Sequence, residues 1–386
     1  MQLAAIAIVA VLFAVFAGYP VAIILIARMV PDRVAPAAVP PPSISILICA
    51  YNEAAVLAAK LRSVIAATSA WPGAAEILVA DDGSSDATAA IVAGFGDCGV
   101  RLVRLARGGK AAALNRLATL AVGEIFVFTD ADPLFDAETL PAVIAPLADP
   151  DVGAVAGKVE TIRHAARAAG RFAAFDMAYR RYESAVRAAE NRLFGCVSAD
   201  GGLFAIRAAL MPVVVPDATD DFYISTAAVA AGQRIAFAAM ARVHEESIGG
   251  SRQNWRRRVR ITVRGMTALW RRRALMNPRR TGCYAVGLIL HKLARRVAPL
   301  LLLPLWVLAA LLTLRGVLIW APVFLMLSGL AVLGTVGALR PAWLPRRLAP
   351  GYGAALHLAG LGAGVLLFLA GRRYAQWTPQ KQAAVA

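Results

Sequence analysis

Two carboxylates offset by one residue, Asp130 and Asp132, directly follow a short apolar run, Ile125–Thr129, that is typical of a buried strand. Oxygen ligands in this arrangement suit a hard divalent cation, and Mg2+ or Mn2+ is usually completed there by the phosphates of a substrate. The bound cation would neutralise charge on a departing diphosphate. An Asp-x-Asp triplet is common by itself, so this metal site depends on what surrounds it.

Two further polar clusters follow earlier apolar runs in the same way. They are Tyr51, Asn52 and Glu53 after Ile44–Ala50, and Asp81 and Asp82 after Glu76–Ala80. Helix caps and turns favour the same residue types, so local structure would explain any one cluster equally well. Three clusters at the ends of three of the four predicted strands indicate a shared binding edge, because ligands of parallel sheets bind beyond the carboxyl ends of the strands.

The elements that would position these residues alternate between strand and helix. Glu53–Ala67 and Gly109–Ala121 are predicted helices, a third helix begins near Asp86, and Val100–Leu105 is a fourth strand. This alternation predicts an α/β domain with a mostly parallel, Rossmann-like sheet and helices on both faces.

Hydropathy indicates a second kind of element. The 386 residues are 59% hydrophobic and 17% charged, with a mean hydropathy of +0.62. This is too apolar for one soluble domain and too charged for a bundle of membrane helices. Leu3–Ala27 is long and apolar enough to cross a bilayer. Three more apolar stretches lie near the C-terminus: Ala298–Leu314, Val317–Leu339 and Tyr352–Ala370.

The net charge of +17 is concentrated beside these stretches, since eleven arginines lie between Ser251 and Arg280. A basic region next to apolar helices is explained most simply by anionic membrane lipid at the cytosolic face. The sequence has no zinc-finger, RNA-binding or homeodomain pattern. We therefore predict membrane lipid, and not nucleic acid, as the partner of this region.

These features divide the chain into six regions. They are a transmembrane helix (1–30), a Pro-rich linker (31–42), the α/β domain (43–250), basic amphipathic interface helices (251–297), three transmembrane helices (298–371) and a tail (372–386). The basic residues that flank the spans predict a multi-pass protein of the inner (cytoplasmic) membrane with its α/β domain in the cytosol.

Seven strings occur in an informative order: SISILICAYNEA, ILVADDGSSD, GGKAAALN, FTDAD, GCVSADGGLFAIR, TDDF and WRRRVRI. Together, from about Ser43 to Gly265, they resemble the motifs of family 2 inverting glycosyltransferases of the GT-A fold. Their order is similar to that of the membrane-integrated branch, which includes cellulose, chitin, hyaluronan and poly-N-acetylglucosamine synthases. The resemblance implies a metal-dependent hexosyltransferase that uses a UDP-sugar and Mg2+ or Mn2+.

The resemblance also implies roles for individual residues. The donor nucleotide would be bound by Tyr51, Glu53, Asp81, Asp82, Lys110 and Asp130, and the metal by Asp132 with Asp130. The catalytic pair would be Asp220 and Asp221, with Asp221 as the general base that deprotonates the acceptor hydroxyl. The diphosphate would meet Arg257 and Arg260, and the acceptor would meet Gly201, Gly202 and Ile261.

Ile261 is the main departure from the pattern, because the polysaccharide synthases have a tryptophan there that stacks on the acceptor sugar. Two functions therefore stay open. One is transfer to a saccharide, either once or repeatedly to make a β-linked polysaccharide with export; the other is a single transfer to a lipid-linked or glycolipid acceptor. A third hypothesis, a non-enzymatic scaffold that senses nucleotide sugar, is disfavoured by the retained carboxylates and Arg260.

Overall fold

The computed structural model describes residues 1–31, 40–161, 173–245, 251–340 and 343–375. Most of the predicted linker 31–42 and most of the tail 372–386 lie outside these ranges. The strands are β1 Ile44–Ala50, β2 Ala75–Asp82, β3 Val100–Leu105, β4 Ile125–Thr129, β5 Leu134–Phe135, β6 Val152–Thr161, β7 Phe204–Arg207 and β8 Arg234–Glu245. The bounds predicted for β1, β3 and β4 are confirmed.

The main helices lie before, within and after the α/β domain. The helix that precedes it is α1 Gln2–Arg28. Those of the domain itself are α2 Ala54–Ser69, α3 Thr88–Ala93, α4 Lys110–Leu120, α5 Thr139–Ile144, α6 Ala173–Leu193 and α7 Asp220–Ala230. Those that follow are α8 Ser251–Arg271, α9 Cys283–Leu314, α10 Leu318–Leu339 and α11 Ala349–Leu369.

The eight strands of the described chain form one sheet in the order β3-β2-β1-β4-β7-β6-β8-β5. The first four strands are parallel, as predicted, and β7 pairs antiparallel with β4. In the register, Ala50 of β1 lies beside Asp81 of β2, and Ile48 lies beside Thr129 of β4. The three polar clusters therefore follow strands that end at one edge, which confirms the expectation from sequence.

Alternate residues of the strands build two hydrophobic cores. Ile44, Ile46 and Ile48 of β1 point into the layer with α2 and α5, while Leu47 and Cys49 point into the layer with α4 and α7. All seven residues of β1 are buried, as expected of a central strand in a sheet covered on both faces. The sheet edge that bears the polar clusters is thereby held by a well-packed interior.

Four helices among the described residues, α1, α9, α10 and α11, are long and apolar enough to cross a membrane. The second of them begins at Cys283 and not near Ala298, so residues predicted as part of the basic interface region form the first half of a 32-residue helix. Tyr284 and Leu288 of this half are buried in a cluster with Val197 and Phe222 of the α/β domain. The apolar helices and the α/β domain therefore share a core.

Candidate active site

A cleft of about 410 Å³ opens at the carboxyl edge of the sheet and is closed on its far side by α8 and α9. Its walls include eleven of the residues selected from sequence: Glu53, Lys110, Asp130, Asp132, Gly201, Gly202, Asp220, Asp221, Arg257, Arg260 and Ile261. Tyr51, Asp81 and Asp82 do not line it. The structure thus brings the residues assigned to metal, base, diphosphate and acceptor into one cavity.

Lys110, the first residue of α4, joins two of the carboxylates. Its Nζ lies 2.7 Å from Asp130 Oδ1 and 2.6 Å from Asp220 Oδ2. Burial alone would lower the pKa of Lys110, but the two carboxylates raise it, so the side chain is a permanent cation. Burial likewise opposes ionisation of Asp220, yet Lys110 and Arg264 hold its pKa below the ordinary value. Asp220 is therefore a structural anion.

Asp221 has the opposite electrostatic character. Burial raises its pKa to about 7, and repulsion from Asp220 and Asp200 adds to the effect. One carboxylate oxygen accepts a hydrogen bond from its neighbouring backbone, Phe222 N to Asp221 Oδ1 at 2.7 Å. A carboxylate that takes up a proton near neutral pH is matched to general-base catalysis.

Gly201 lies between two of these carboxylates. A Cβ on this residue would be 3.3 Å from Asp130 Oδ2 and 3.9 Å from Asp221 Oδ2, so the backbone approaches both side chains closely. Gly202 is different, because a Cβ there would lie 2.6 Å from Val159 Cγ2 in the core. Because Gly201 has no side chain, space is left in the cleft beside the two carboxylates. The same absence at Gly202 allows its backbone to pack against Val159.

Asp200 is a cleft residue that the sequence reasoning missed. Its carboxylate is paired by both oxygens with Arg187 of α6, at 2.6 Å each, and 45% of its side chain is exposed to the cleft. Arg187 itself is only 3% exposed. The string SADGG contains this aspartate, but its partner lies thirteen residues earlier on a charged helix and no local pattern links the two.

The residues predicted to bind the donor nucleotide but lying outside the cleft are held by contacts within the α/β domain. Asp82 Oδ1 accepts hydrogen bonds from Gly108 N at 2.8 Å and Gly109 N at 3.0 Å, and its carboxylate also binds Arg107. The Arg107 guanidinium lies 3.5 Å over the ring of Tyr51. Asp82 therefore fixes the loop that leads into α4 and places Arg107 on the aromatic face. Asp81 accepts from Ser84 N at 3.2 Å.

One part of the cleft wall is strongly basic. Arg257, Arg260 and Arg264 from α8 line it together with Arg296 from α9. Burial lowers the pKa of Arg260 to about 10, and the positive charges of Arg264 and Arg257 contribute. Cations that repel one another in a partly buried site attract an anion such as a diphosphate.

A second, smaller cavity of about 60 Å³ adjoins the cleft on the side of the apolar helices. Ile261, Tyr179 and Arg258 line both cavities, while His357 and Leu361 of α11 line the smaller one. The cleft is thus continuous in its walls with the helices that are apolar enough to enter a membrane.

The carboxylates of Asp130 and Asp132 are the candidate ligands of a divalent cation. Both side chains line the cleft, and carboxylate oxygens are the ligands that Mg2+ and Mn2+ prefer. No group of three or more such ligands exists among the residues that the structure describes. The pair fits a cation that takes its remaining ligands from a bound diphosphate and water, and does not fit an all-protein cage.

Part of this chain is similar in sequence to known glycosyltransferases. Residues 45–204 match the family described as Glycosyl transferase family 2. The beta-monoglucosyldiacylglycerol synthase of Trichormus variabilis is 37% identical over 120 residues, which are 30% of this chain and 25% of that protein. The N-acetylglucosaminyltransferase of Rhizobium leguminosarum bv. trifolii is 27% identical over 122 residues, which are 31% of this chain and 67% of that protein. This chain thus spans only a quarter of the first relative.

One solved structure is similar along nearly the whole chain. It is the mannosyltransferase PcManGT from Pyrobaculum calidifontis in complex with GDP-Man and Mn2+, with a TM-score of 0.70 and 23% identity over 96% of this chain and 99% of that one. The likeness includes the apolar helices as well as the sheet. Residues 45–204 therefore match a family 2 glycosyltransferase domain, and the chain combines the GT-A fold with four helices, among the described residues, that are long and apolar enough to cross a membrane.

Proposed function

We propose that this protein is a metal-dependent inverting glycosyltransferase that moves a sugar from a nucleotide-diphosphate donor, a UDP-sugar in our prediction, to a hydroxyl acceptor at the membrane. The observation that carries the proposal is the arrangement within one cleft. Asp130 and Asp221 both approach Gly201, and Arg257, Arg260 and Arg264 of α8 line the same cavity.

The donor end is supported by two sets of opposite charge. Asp132, with Asp130, would hold Mg2+ or Mn2+, and the bound cation would stabilise negative charge on the departing diphosphate. Arg260 and Arg257 would bind the phosphates from the other side. Lys110 keeps Asp130 and Asp220 in place through its two ion pairs.

The acceptor end is supported by Asp221. As general base, this carboxylate would take the proton of the acceptor hydroxyl while the oxygen attacks the anomeric carbon opposite the diphosphate. Inversion needs one such base and no covalent intermediate. Its raised pKa means that Asp221 can accept this proton near neutral pH. Gly201 leaves space for the acceptor beside the base.

For the acceptor we favour a lipid-linked or glycolipid molecule that receives a single sugar. The cleft borders the second cavity and through it α11, and Ile261 stands at this boundary without an aromatic ring to stack on a sugar chain. One relative is named as a glucosyldiacylglycerol synthase, which agrees with this choice. Repeated transfer to a polysaccharide, and membership of the polysaccharide-synthase branch, form the alternative.

Purified full-length protein incubated with labelled UDP- and GDP-sugars, Mn2+ and membrane lipid extract tests the proposal. We expect metal-dependent nucleotide release and a labelled product that extracts into organic solvent and is one sugar larger than its acceptor. A long water-soluble polymer would favour the alternative instead. Absence of nucleotide release with every donor, both in Mn2+ and in a parallel series with Mg2+, would refute the enzymatic function and favour a scaffold.

A further inference from the structure

Lys60 is a buried charged residue to which neither the sequence motifs nor the proposed mechanism gives a role. It lies in the middle of α2, and its exposed fraction is 0%. Lysine is almost never fully buried unless its amine finds partners, because the charged form is costly to remove from water. A lysine in this position therefore needs a structural or functional explanation.

The partners of Lys60 all belong to the segment that carries Asp130 and Asp132. Its Nζ donates a hydrogen bond to Thr129 Oγ1 at 2.7 Å and another to the backbone oxygen of Pro133. It also lies 4.2 Å from the centre of the Phe135 ring, within range of a cation–π contact. One side chain from α2 thus holds the residues immediately before and immediately after the Asp-Ala-Asp turn.

Thr129 connects Lys60 to the glycine pair on the predicted acceptor side of the cleft. Its hydroxyl accepts from Lys60 and donates to the backbone oxygen of Gly202 at 2.8 Å. The chain of hydrogen bonds therefore joins α2, the carboxylate turn and the glycine pair. Burial lowers the pKa of the Lys60 amine to about 7, and either an ammonium or a neutral amine can donate both hydrogen bonds.

We propose that Lys60 is the positioning residue of the metal-binding turn: by fixing both ends of the turn from behind, it holds Asp130 and Asp132 ready for the cation and the donor diphosphate. This inference rests on the proposed function, since it assumes that the two carboxylates bind a metal. Lys60 does not line the cleft and so would act only through the turn. Preorganised ligands bind more tightly because less freedom is lost on binding.

The test measures UDP binding to the full-length protein in detergent micelles by titration calorimetry, with and without Mn2+. Lys60→Met removes both hydrogen bonds while keeping a flexible chain of similar length. The factor by which Mn2+ increases UDP affinity should be about tenfold smaller in this variant than in the wild type. A change of this size is expected from the loss of one or two buried hydrogen bonds. UDP affinity without metal should stay within about twofold. At saturating Mn2+ and donor, kcat should stay within about threefold.

Three further variants separate positioning from general stability. Arg62→Met alters an exposed cation of the same helix and should behave as the wild type. Thr129→Val removes only the hydroxyl between Lys60 and Gly202, and should weaken the Mn2+ effect even if Lys60→Met does not fold. Thr129→Ser keeps the hydroxyl and should preserve it.

Two results would overturn the inference. One is an unchanged Mn2+ effect in the variants at Lys60 and Thr129. The other is an equal loss of UDP affinity with and without metal together with a lower Tm, which would make Lys60 a purely structural residue. A wild-type protein whose affinity for UDP, and for GDP in the same assay, does not respond to Mn2+ or Mg2+ would instead refute the metal-dependent function itself.

Discussion

The raised pKa of Asp221 leads to a prediction about the pH dependence of catalysis. Burial and the neighbouring charges of Asp220 and Asp200 move this pKa from an ordinary 3.8 to about 7. A general base works only when it is deprotonated, so activity is lost as the pH falls through its pKa. For one ionisation at about 7, kcat/KM should fall roughly a hundredfold from pH 8 to pH 5. With an unperturbed aspartate as the base, kcat/KM would fall by less than about a tenth over the same pH range.

The assay is nucleotide release at low donor concentration, with metal kept saturating at each pH and Tm measured in parallel. Asp221→Asn should abolish transfer at every pH and leave donor binding largely intact. Asp200→Asn removes one of the nearby negative charges and should move the acid limb of the profile to lower pH. A flat profile between pH 5 and 8, or near-normal turnover in Asp221→Asn, would show that Asp221 is not the base.

The same ionisation has an effect on stability, with the sign set by linkage. Because the folded pKa is raised, the folded protein binds more protons than the unfolded chain between about pH 4 and 7, and stability falls as the pH rises through this window. Asparagine removes that cost. The Tm of Asp221→Asn should therefore exceed that of the wild type at pH 8, and the difference should shrink toward pH 5. A lower Tm for the variant at pH 8 would contradict this reasoning.

The remaining predictions concern the glycines, the basic wall and the metal. Gly201→Ala should reduce kcat with little change in Tm, whereas Gly202→Ala should lower the stability by roughly 1–3 kcal/mol through its clash with Val159; the reverse pattern would exchange their roles. Arg260→Gln should raise the donor KM by about ten- to a hundredfold, the value of a charge-assisted hydrogen bond, while the exposed Arg256→Gln on the same helix should not. Chelation should stop nucleotide release and added Mn2+ should restore it; full activity after chelation would remove the metal from the mechanism.

The sheet could be predicted from sequence because its signals are local. β1 is a continuous apolar run between prolines and a polar cluster, and β3 and β4 are equally well delimited, so their bounds are confirmed. The convergence of the polar clusters follows from the parallel pairing of these strands. The cleft residues on this edge were accordingly found without a structure.

Residues whose role depends on a distant partner could not be found in this way. From sequence, Lys60 resembles a solvent-facing lysine of an alanine-rich helix. Only the structure shows that its amine donates hydrogen bonds to Thr129 and Pro133. Asp82 stands in a recognisable motif, but the motif does not predict that its carboxylate binds the backbone of Gly108 and Gly109, 26 and 27 residues later. Both cases require long-range pairings that no hydrophobic period encodes.

The position of α6 explains how the apolar helices and the cleft come to share one structure. Glu183 of α6 pairs with Arg295 of α9 at 2.6 Å, and Glu190, which is fully buried, accepts from Tyr19 of α1 at 2.8 Å. Both glutamates also contact a single ring, with His291 Nε2 and Nδ1 at 2.8 and 2.6 Å.

Buried carboxylates are stable only while such partners stay in place, because an unpaired buried charge is strongly destabilising. The helix fixed in this way also carries the arginine that holds Asp200 in the cleft. Contacts with α1 and α9 therefore hold α6 in position as much as contacts with the sheet do. The α/β domain is better regarded as one folded unit with these helices than as an independent domain to which apolar helices have been attached.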